Sequence, residues 1–265
     1  MNTRSDQRLR KGTRTKDAKP LANKVCVVTG GSRGIGRNVI SELAADGATV
    51  VVNFRSSAAA ADEVVEAVEE EGGEACVARA DVGDYAAVDA MADRVHDEFG
   101  GIDVLVNNAG VTVDKRFERM EREDWDRVVD VNLGGAFNCT KAFYEDLKAA
   151  PQGRLISVSS VVGQQGNVGQ ANYAAAKSGL FGFTKTLARE LAPYGTTANC
   201  VAPGFTMTDM VRAVPGEVQE RILRTIPLER FAETEEVACI VGFLASEESS
   251  YVTGEIINAN GGMYA

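Results

Sequence analysis

The sequence predicts one doubly wound α/β domain over residues 23–265, a parallel sheet with helices on both faces. Three observations predict it. From residue 24, short β-branched runs alternate with longer helical patterns. No Pro/Gly/Ser-rich linker divides the chain after residue 22, and no internal repeat is visible. Glycine and polar clusters fall repeatedly at the carboxyl ends of the strand-like runs. At 265 residues the chain suits one large domain with a sizeable core.

Taken in order, residues 24–29 read as a buried strand, 34–46 as a helix and 49–53 as a strand. An Ala/Glu-rich helix follows over 57–71, a strand over 75–81, a helix over 84–99 and a strand over 102–107. A long helical stretch begins after Glu121. Residues 154–159 are strand-like, 172–192 helical and 196–201 strand-like again. Two short helices, 216–224 and 234–245, precede a last strand over 255–258. In such sheets ligands bind beyond the carboxyl ends of the strands, where strand order reverses. Residues 30–36, Phe54-Arg55, Asp81-Val82, Asn107-Asn108-Ala109-Gly110, Ser159-Ser160 and Pro203-Gly204 follow the first six strands in turn.

Composition narrows the class. The chain is 45% hydrophobic and 25% charged, with no apolar run long enough to span a membrane and no signal-peptide pattern at its start. Its five cysteines are scattered and form no Cys-x-x-Cys pair, so neither a disulfide framework nor a metal site is expected. They read as core residues of a reduced, cytoplasmic protein. Residues 1–20 carry seven basic and two acidic side chains, +5; the net charge of −10 therefore leaves −15 on the rest. The acidic body argues against nucleic acid as a partner. Residues 1–22 read as a basic, disordered tail. The single histidine, His96, reads as a solvated helix residue, and its solitude excludes His-based metal sites and most Ser-His-Asp arrangements.

The turn after the first strand is Thr29-Gly30-Gly31-Ser32-Arg33-Gly34-Ile35-Gly36, a Gly-x-x-x-Gly-x-Gly spacing. Such a turn lets backbone approach a pyrophosphate at a helix N-terminus, the device of Rossmann-type dinucleotide folds. An acid at the end of the second strand would accept from the adenine-ribose 2′-hydroxyl of NAD. No acid stands between Gly47 and Ala61; Phe54-Arg55-Ser56-Ser57 does, with Arg33 in the turn. Two guanidiniums suit a 2′-phosphate, so the expected cofactor is NADP(H). Tyr173 and Lys177 stand four apart in a helical pattern, thirteen residues after Ser160, so the ammonium can lie beside the phenol. A nearby cation lowers a phenol's pKa, which makes a better proton donor.

With these motifs on the page, the chain resembles the short-chain dehydrogenase/reductase family across residues 23–265. The matching residues are the 29–36 turn, Asp81-Val82, Asn107-Asn108-Ala109-Gly110, Asn132, Ser160, Tyr173/Lys177 and Pro203-Gly204. Within the family, residues 169–177, Val201-Ala202-Pro203-Gly204-Phe205 and Gly261-Gly262-Met263-Tyr264 are similar to 3-oxoacyl-[acyl-carrier-protein] reductases, with acetoacetyl-CoA reductases nearly as similar.

The resemblance implies NADPH-dependent reduction of a 3-oxoacyl thioester, or alternatively of another small ketone such as a sugar or xenobiotic. It implies Tyr173 as general acid, Lys177 as its tuning cation and ribose ligand, Ser160 on the carbonyl oxygen and Asn132 on a water chain resupplying the proton. It places the cofactor against Gly30, Ser32, Arg33, Gly34, Ile35, Gly36, Phe54, Arg55, Ser56, Asp81, Val82, Asn107, Ala109, Gly110, Tyr173, Lys177, Pro203, Gly204, Thr206 and Thr208. Residues 205–211, with the helix after Pro215, correspond to a substrate lid, and a homotetramer is the family's usual assembly. Carrier-using relatives often have arginines where this chain has Pro151 and Tyr194, which leaves Arg154, Arg189, Arg212, Arg221 and Arg224 as candidate substitutes for meeting an acyl-carrier protein.

Overall fold

The computed structural model describes residues 19–212 and 214–265. Seven parallel strands form one sheet in the order β3-β2-β1-β4-β5-β6-β7. They are β1 (Val25–Val28), β2 (Thr49–Phe54), β3 (Glu74–Arg79), β4 (Val104–Asn107), β5 (Arg154–Val158), β6 (Thr197–Pro203) and β7 (Ile256–Ala259). The order reverses between β1 and β4, whose carboxyl ends bring Gly30 and Asn108 together.

Period two decides which face each strand residue serves. Cys26, Val28, Val50 and Val52 pack with α1 (Gly34–Ala45), α2 (Ala58–Glu70) and α11 (Thr234–Ala245). Val27, Val51, Leu105 and Leu155 face the other way, onto α3 (Tyr85–Phe99), α5 (Gly135–Ala142), α6 (Tyr144–Ala149) and α8 (Ala171–Leu191). With both faces covered, the inner strands are apolar throughout, which is why they read as runs and not as alternations.

Observed boundaries differ from the expected ones by a residue or two, and a few differences carry meaning. The helical stretch after Glu121 is not continuous. It breaks into α4 (Arg122–Val129), a π-helical turn (Asp130–Gly134) and α5, and the π turn carries Asn132. Sequence patterns had not separated α7 (Val161–Gln165) or α9 (Asp209–Arg212), which precedes α10 (Gly216–Leu223).

Leu21, assigned to the tail, is buried, and its N–H donates to the Asp46 carbonyl at 2.9 Å. Residues 19–22 therefore pack on the domain; the rest of the expected tail lies outside the described residues. His96 is not simply solvated. Its Nε2 lies 2.7 Å from Asp146 Oδ2 and its ring meets Phe143 edge-on, because α3 packs beside α5 and α6.

Candidate active site

The switch point is knitted by backbone and short side chains. Thr29 Oγ1 accepts from the N–H groups of Asn108 (2.9 Å) and Ala109 (3.0 Å), while Asn108 Nδ2 donates to the Thr29 carbonyl at 2.8 Å. Gly30 has φ +64°, and a Cβ there would stand 2.9 Å from Ala109 Cα. At Gly36 the reason for glycine is space: a Cβ would strike the Gly30 carbonyl and lie 2.6 Å from Asn108 Nδ2. Arg33 takes the N-cap position of α1 in extended conformation with no side-chain cap and no acid in the first turn. The helix thus presents uncapped N–H groups and its positive end to the space in front of it.

That space is a cavity of about 730 Å³, walled by Gly30, residues 32–36, Arg55, Asp81, Ala109 and Thr208 among others. Phe54, Ser56, Val82 and Gly110 line it too, so most expected cofactor contacts do meet in one place. At its far end Arg33 Nη2 donates to Ser57 Oγ at 2.6 Å, and Arg55 Nη1 stands 3.6 Å from Asp81 Oδ2. Both arginines remain exposed. A glycine cradle, a bare helix N-terminus and two cations at the far end fit a dinucleotide.

Six expected contacts do not line it: Tyr173 and Lys177, both on α8, and four more. Pro203 lies within β6, paired with Ala259. Gly204 is pressed against Asn260, where a Cβ would be 2.8 Å from Asn260 Cα, and lines a separate apolar cavity of about 520 Å³. Thr206 is buried, with its hydroxyl turned back onto the Gly204 carbonyl at 3.3 Å. Asn107 sits behind the cavity wall, donating to Thr140 Oγ1 at 3.0 Å, with its Oδ1 unpartnered.

Asn53 was not foreseen as a site residue. Buried under the turn, it accepts from the Gly30 N–H at 3.3 Å and donates to the Ala78 and Ala80 carbonyls. Its signal in the sequence is one amide inside the apolar run Thr49-Val-Val-Val-Asn53-Phe54.

The Tyr173 side of the site is built from α7, α8 and the π turn. Ser160 is the N-cap of α7, its Oγ accepting from the Val162 N–H at 3.1 Å. Ser159, its neighbour, is buried and donates to the Lys177 carbonyl at 2.8 Å, so it anchors α8 while Ser160 faces Tyr173. Lys177 is buried and donates to the Val158 carbonyl at 2.7 Å, with its Nζ 5.7 Å from the Tyr173 ring centroid. Asn132 clamps the backbone of Val111 with both side-chain atoms, Nδ2 at 2.8 Å and Oδ1 at 3.0 Å. A Cβ on Gly110 would be 2.5 Å from Asn132 Oδ1 and 3.5 Å from Lys177 Nζ, so these groups meet at that glycine.

Burial dominates the electrostatics of the pair. Burial pushes the Tyr173 phenol above its ordinary pKa; the hydrogen bond with Ser160 pulls it down and the Asp114 carboxylate pushes it further up. Burial brings the Lys177 ammonium down to about 8, and one of its protons is donated to the Val158 carbonyl. Asp114 belongs to a latch at the start of α8: Gln170 Nε2 donates to its carboxylate at 3.0 Å, and Asn172 Nδ2 donates to the Val113 carbonyl at 3.1 Å. Arg154 cannot meet a partner. Its guanidinium is buried and donates to the carbonyls of Ser246 and Gly153. Arg189, Arg212, Arg221 and Arg224 are exposed.

Residues 30–264 match the family model described as "Enoyl-(Acyl carrier protein) reductase". The chain is 46% identical over 242 residues to a Staphylococcus epidermidis protein named 3-oxoacyl-[acyl-carrier-protein] reductase FabG, covering 91% of this chain and 99% of that one. It is 48% identical over 244 residues to the Synechocystis 3-oxoacyl-[acyl-carrier-protein] reductase, covering 92% and 98%. A Staphylococcus aureus FabG is 46% identical over 241 residues, covering 91% and 98%. With its sevenfold parallel sheet, its glycine cradle and these relatives, the chain belongs to the short-chain dehydrogenase/reductase family, oxidoreductases that act on CH–OH and C=O groups with a nicotinamide cofactor.

Proposed function

We propose that this protein reduces a 3-oxoacyl thioester to the 3-hydroxyacyl thioester with NADPH, with Tyr173 as general acid. The observation that carries the reading is the grouping of Tyr173 with Ser160 and with Lys177, whose Nζ is 5.7 Å from the phenol ring centroid, next to Gly110 on the wall of the glycine-lined cavity. The names of the relatives supply the substrate class. A bound nicotinamide supplies hydride to the carbonyl carbon. Ser160 donates a hydrogen bond to the carbonyl oxygen as charge grows there, and Tyr173 delivers its phenolic proton to that oxygen. The resulting phenolate regains its proton by way of Lys177 and Asn132, which share the Gly110 corner. A phenol raised by burial is protonated at neutral pH, the state a donor requires.

For the cofactor, the 30–36 turn would hold the pyrophosphate, Asp81 and Val82 the adenine, and Arg33 and Arg55 a 2′-phosphate. Ala109, Gly110, Tyr173, Lys177 and Thr208 would hold the nicotinamide end, with Asn107 supporting the wall from behind. NADP(H) is favoured because the carboxyl end of β2 offers guanidiniums and no acid. A homotetramer and a cytoplasmic setting complete the reading; no helix among the described residues is long and apolar enough to cross a membrane.

The test is NADPH oxidation with acetoacetyl-carrier protein, acetoacetyl-CoA and a simple ketone in parallel. Turnover of both thioesters well above the ketone is expected. Preference for the ketone would overturn the substrate class and support reduction of a sugar or xenobiotic carbonyl.

A further inference from the structure

Pro151 and Tyr194 offer no guanidinium, and Arg154 is buried, so an acidic partner must meet this chain elsewhere. The loop after β4 provides a place. It leaves the cavity wall at Thr112 and ends in a 3₁₀ turn (Phe117–Arg119) only five to seven residues later. Five residues reach at most about 18 Å, so this turn stands at the rim of the site. Its position is set by bonds to the start of the Tyr173 helix. The Lys115 N–H donates to the Gly169 carbonyl at 2.9 Å, and Gln170 Nε2 donates to Asp114.

The rim has an unusual face. Phe117 is 76% exposed and Val168 is 79% exposed, and the two flank the Lys115–Gly169 contact. The Arg119 N–H donates to the Arg116 carbonyl at 2.8 Å, so the two arginines close the turn from its two ends, with Glu118 between them in the chain. Both arginines are exposed and form no ion pair among the described residues. Among the nearby acids, Asp124 takes Lys115 and the Glu121 N–H and Asp126 takes Arg122, while Glu118, between the two arginines, and Glu123 are exposed. On a chain of net charge −10, a free arginine pair beside an exposed aromatic matches the composition of a recognition surface for an anionic protein.

We propose that Arg116, Phe117 and Arg119 form the docking surface for an acidic acyl-carrier protein, which brings its thioester to the rim beside Tyr173. The proposal rests on the reductase reading and adds the place where the carrier binds. In wild type, salt should raise KM for acetoacetyl-carrier protein, since exposed charges are screened.

The test is a steady-state comparison of both substrates in Arg116→Glu/Arg119→Glu and in Phe117→Ala, with Arg189→Glu as a control on the far end of the Tyr173 helix. Charge reversal is expected to raise KM for the carrier-borne substrate about tenfold or more, leaving kcat and the CoA kinetics intact; Phe117→Ala does the same to a smaller extent. Equal losses on both substrates, no loss, or a larger loss in Arg189→Glu would overturn the docking site while the reductase reading stands. A variant that changes oligomeric state in sedimentation would overturn it too, making this face a contact between copies. Failure of wild type to reduce either thioester overturns the reductase reading, and the docking site with it.

Discussion

The two sides of the site are held by different means. On the cofactor side, backbone touches backbone: Gly30 on Ala109, Gly36 on the Gly30 carbonyl, and Asn53 and Thr29 bonded underneath, all around the carboxyl ends of β1, β2 and β4. On the lid side, α10 has no buried residue, and the segment is tied at its base. The ties are the Thr206–Ala232 bridge, the bond from the Met207 N–H to the Ala232 carbonyl, and buried Ile226. The first arrangement tolerates no added atom. The second can shift to admit different acyl groups at little cost in core packing.

The largest expected effect falls where the two sides meet. Tyr173→Phe should lower kcat/KM by about 10²–10⁴-fold while NADPH binding, followed by fluorescence titration, is unchanged. Full activity in this variant would mean that another group protonates the product.

A smaller effect tests the cofactor side alone. Arg33→Ala combined with Arg55→Ala should cut the NADPH-over-NADH preference about tenfold to a hundredfold, as expected for lost charge-assisted hydrogen bonds. An unchanged ratio of the two kcat/KM values would remove the 2′-phosphate assignment.

The contrast itself is tested by a pair of small substitutions. Gly36→Ala should cost about 1–3 kcal/mol in urea unfolding, since its methyl overlaps the Gly30 carbonyl. Val218→Ala, on the half-buried face of α10, should cost less than about 0.5 kcal/mol yet change KM for longer acyl substrates. Equal costs would show that the lid is packed as firmly as the cradle.

Much of this was legible before any coordinates. The valine runs marked the inner strands because both faces of a parallel sheet are covered, and the glycine turn marked the cradle because only glycine leaves that space. What was not legible depends on neighbours distant in the chain. Asn132 sits on a π turn that no local pattern announced. Arg154 reads as a surface cation and proves to be a buried donor to Ser246, 92 residues away. Gly204 and Thr206 stand in the right motif but face Asn260 and their own backbone, since the chain turns back on β7 before reaching Thr208.

The sequence by itself determined the sheet, its helices, the glycine cradle and the pairing of Tyr173 with Lys177, because periodicity and steric exclusion act between near neighbours. Only the tertiary structure decided the charge environment of that pair. Lys177 is buried at about 8 with its proton directed at Val158, and Tyr173 is raised by burial between Ser160 and Asp114. Desolvation depends on everything packed around a group, and that is assembled from β4, β5, α7 and α8 together.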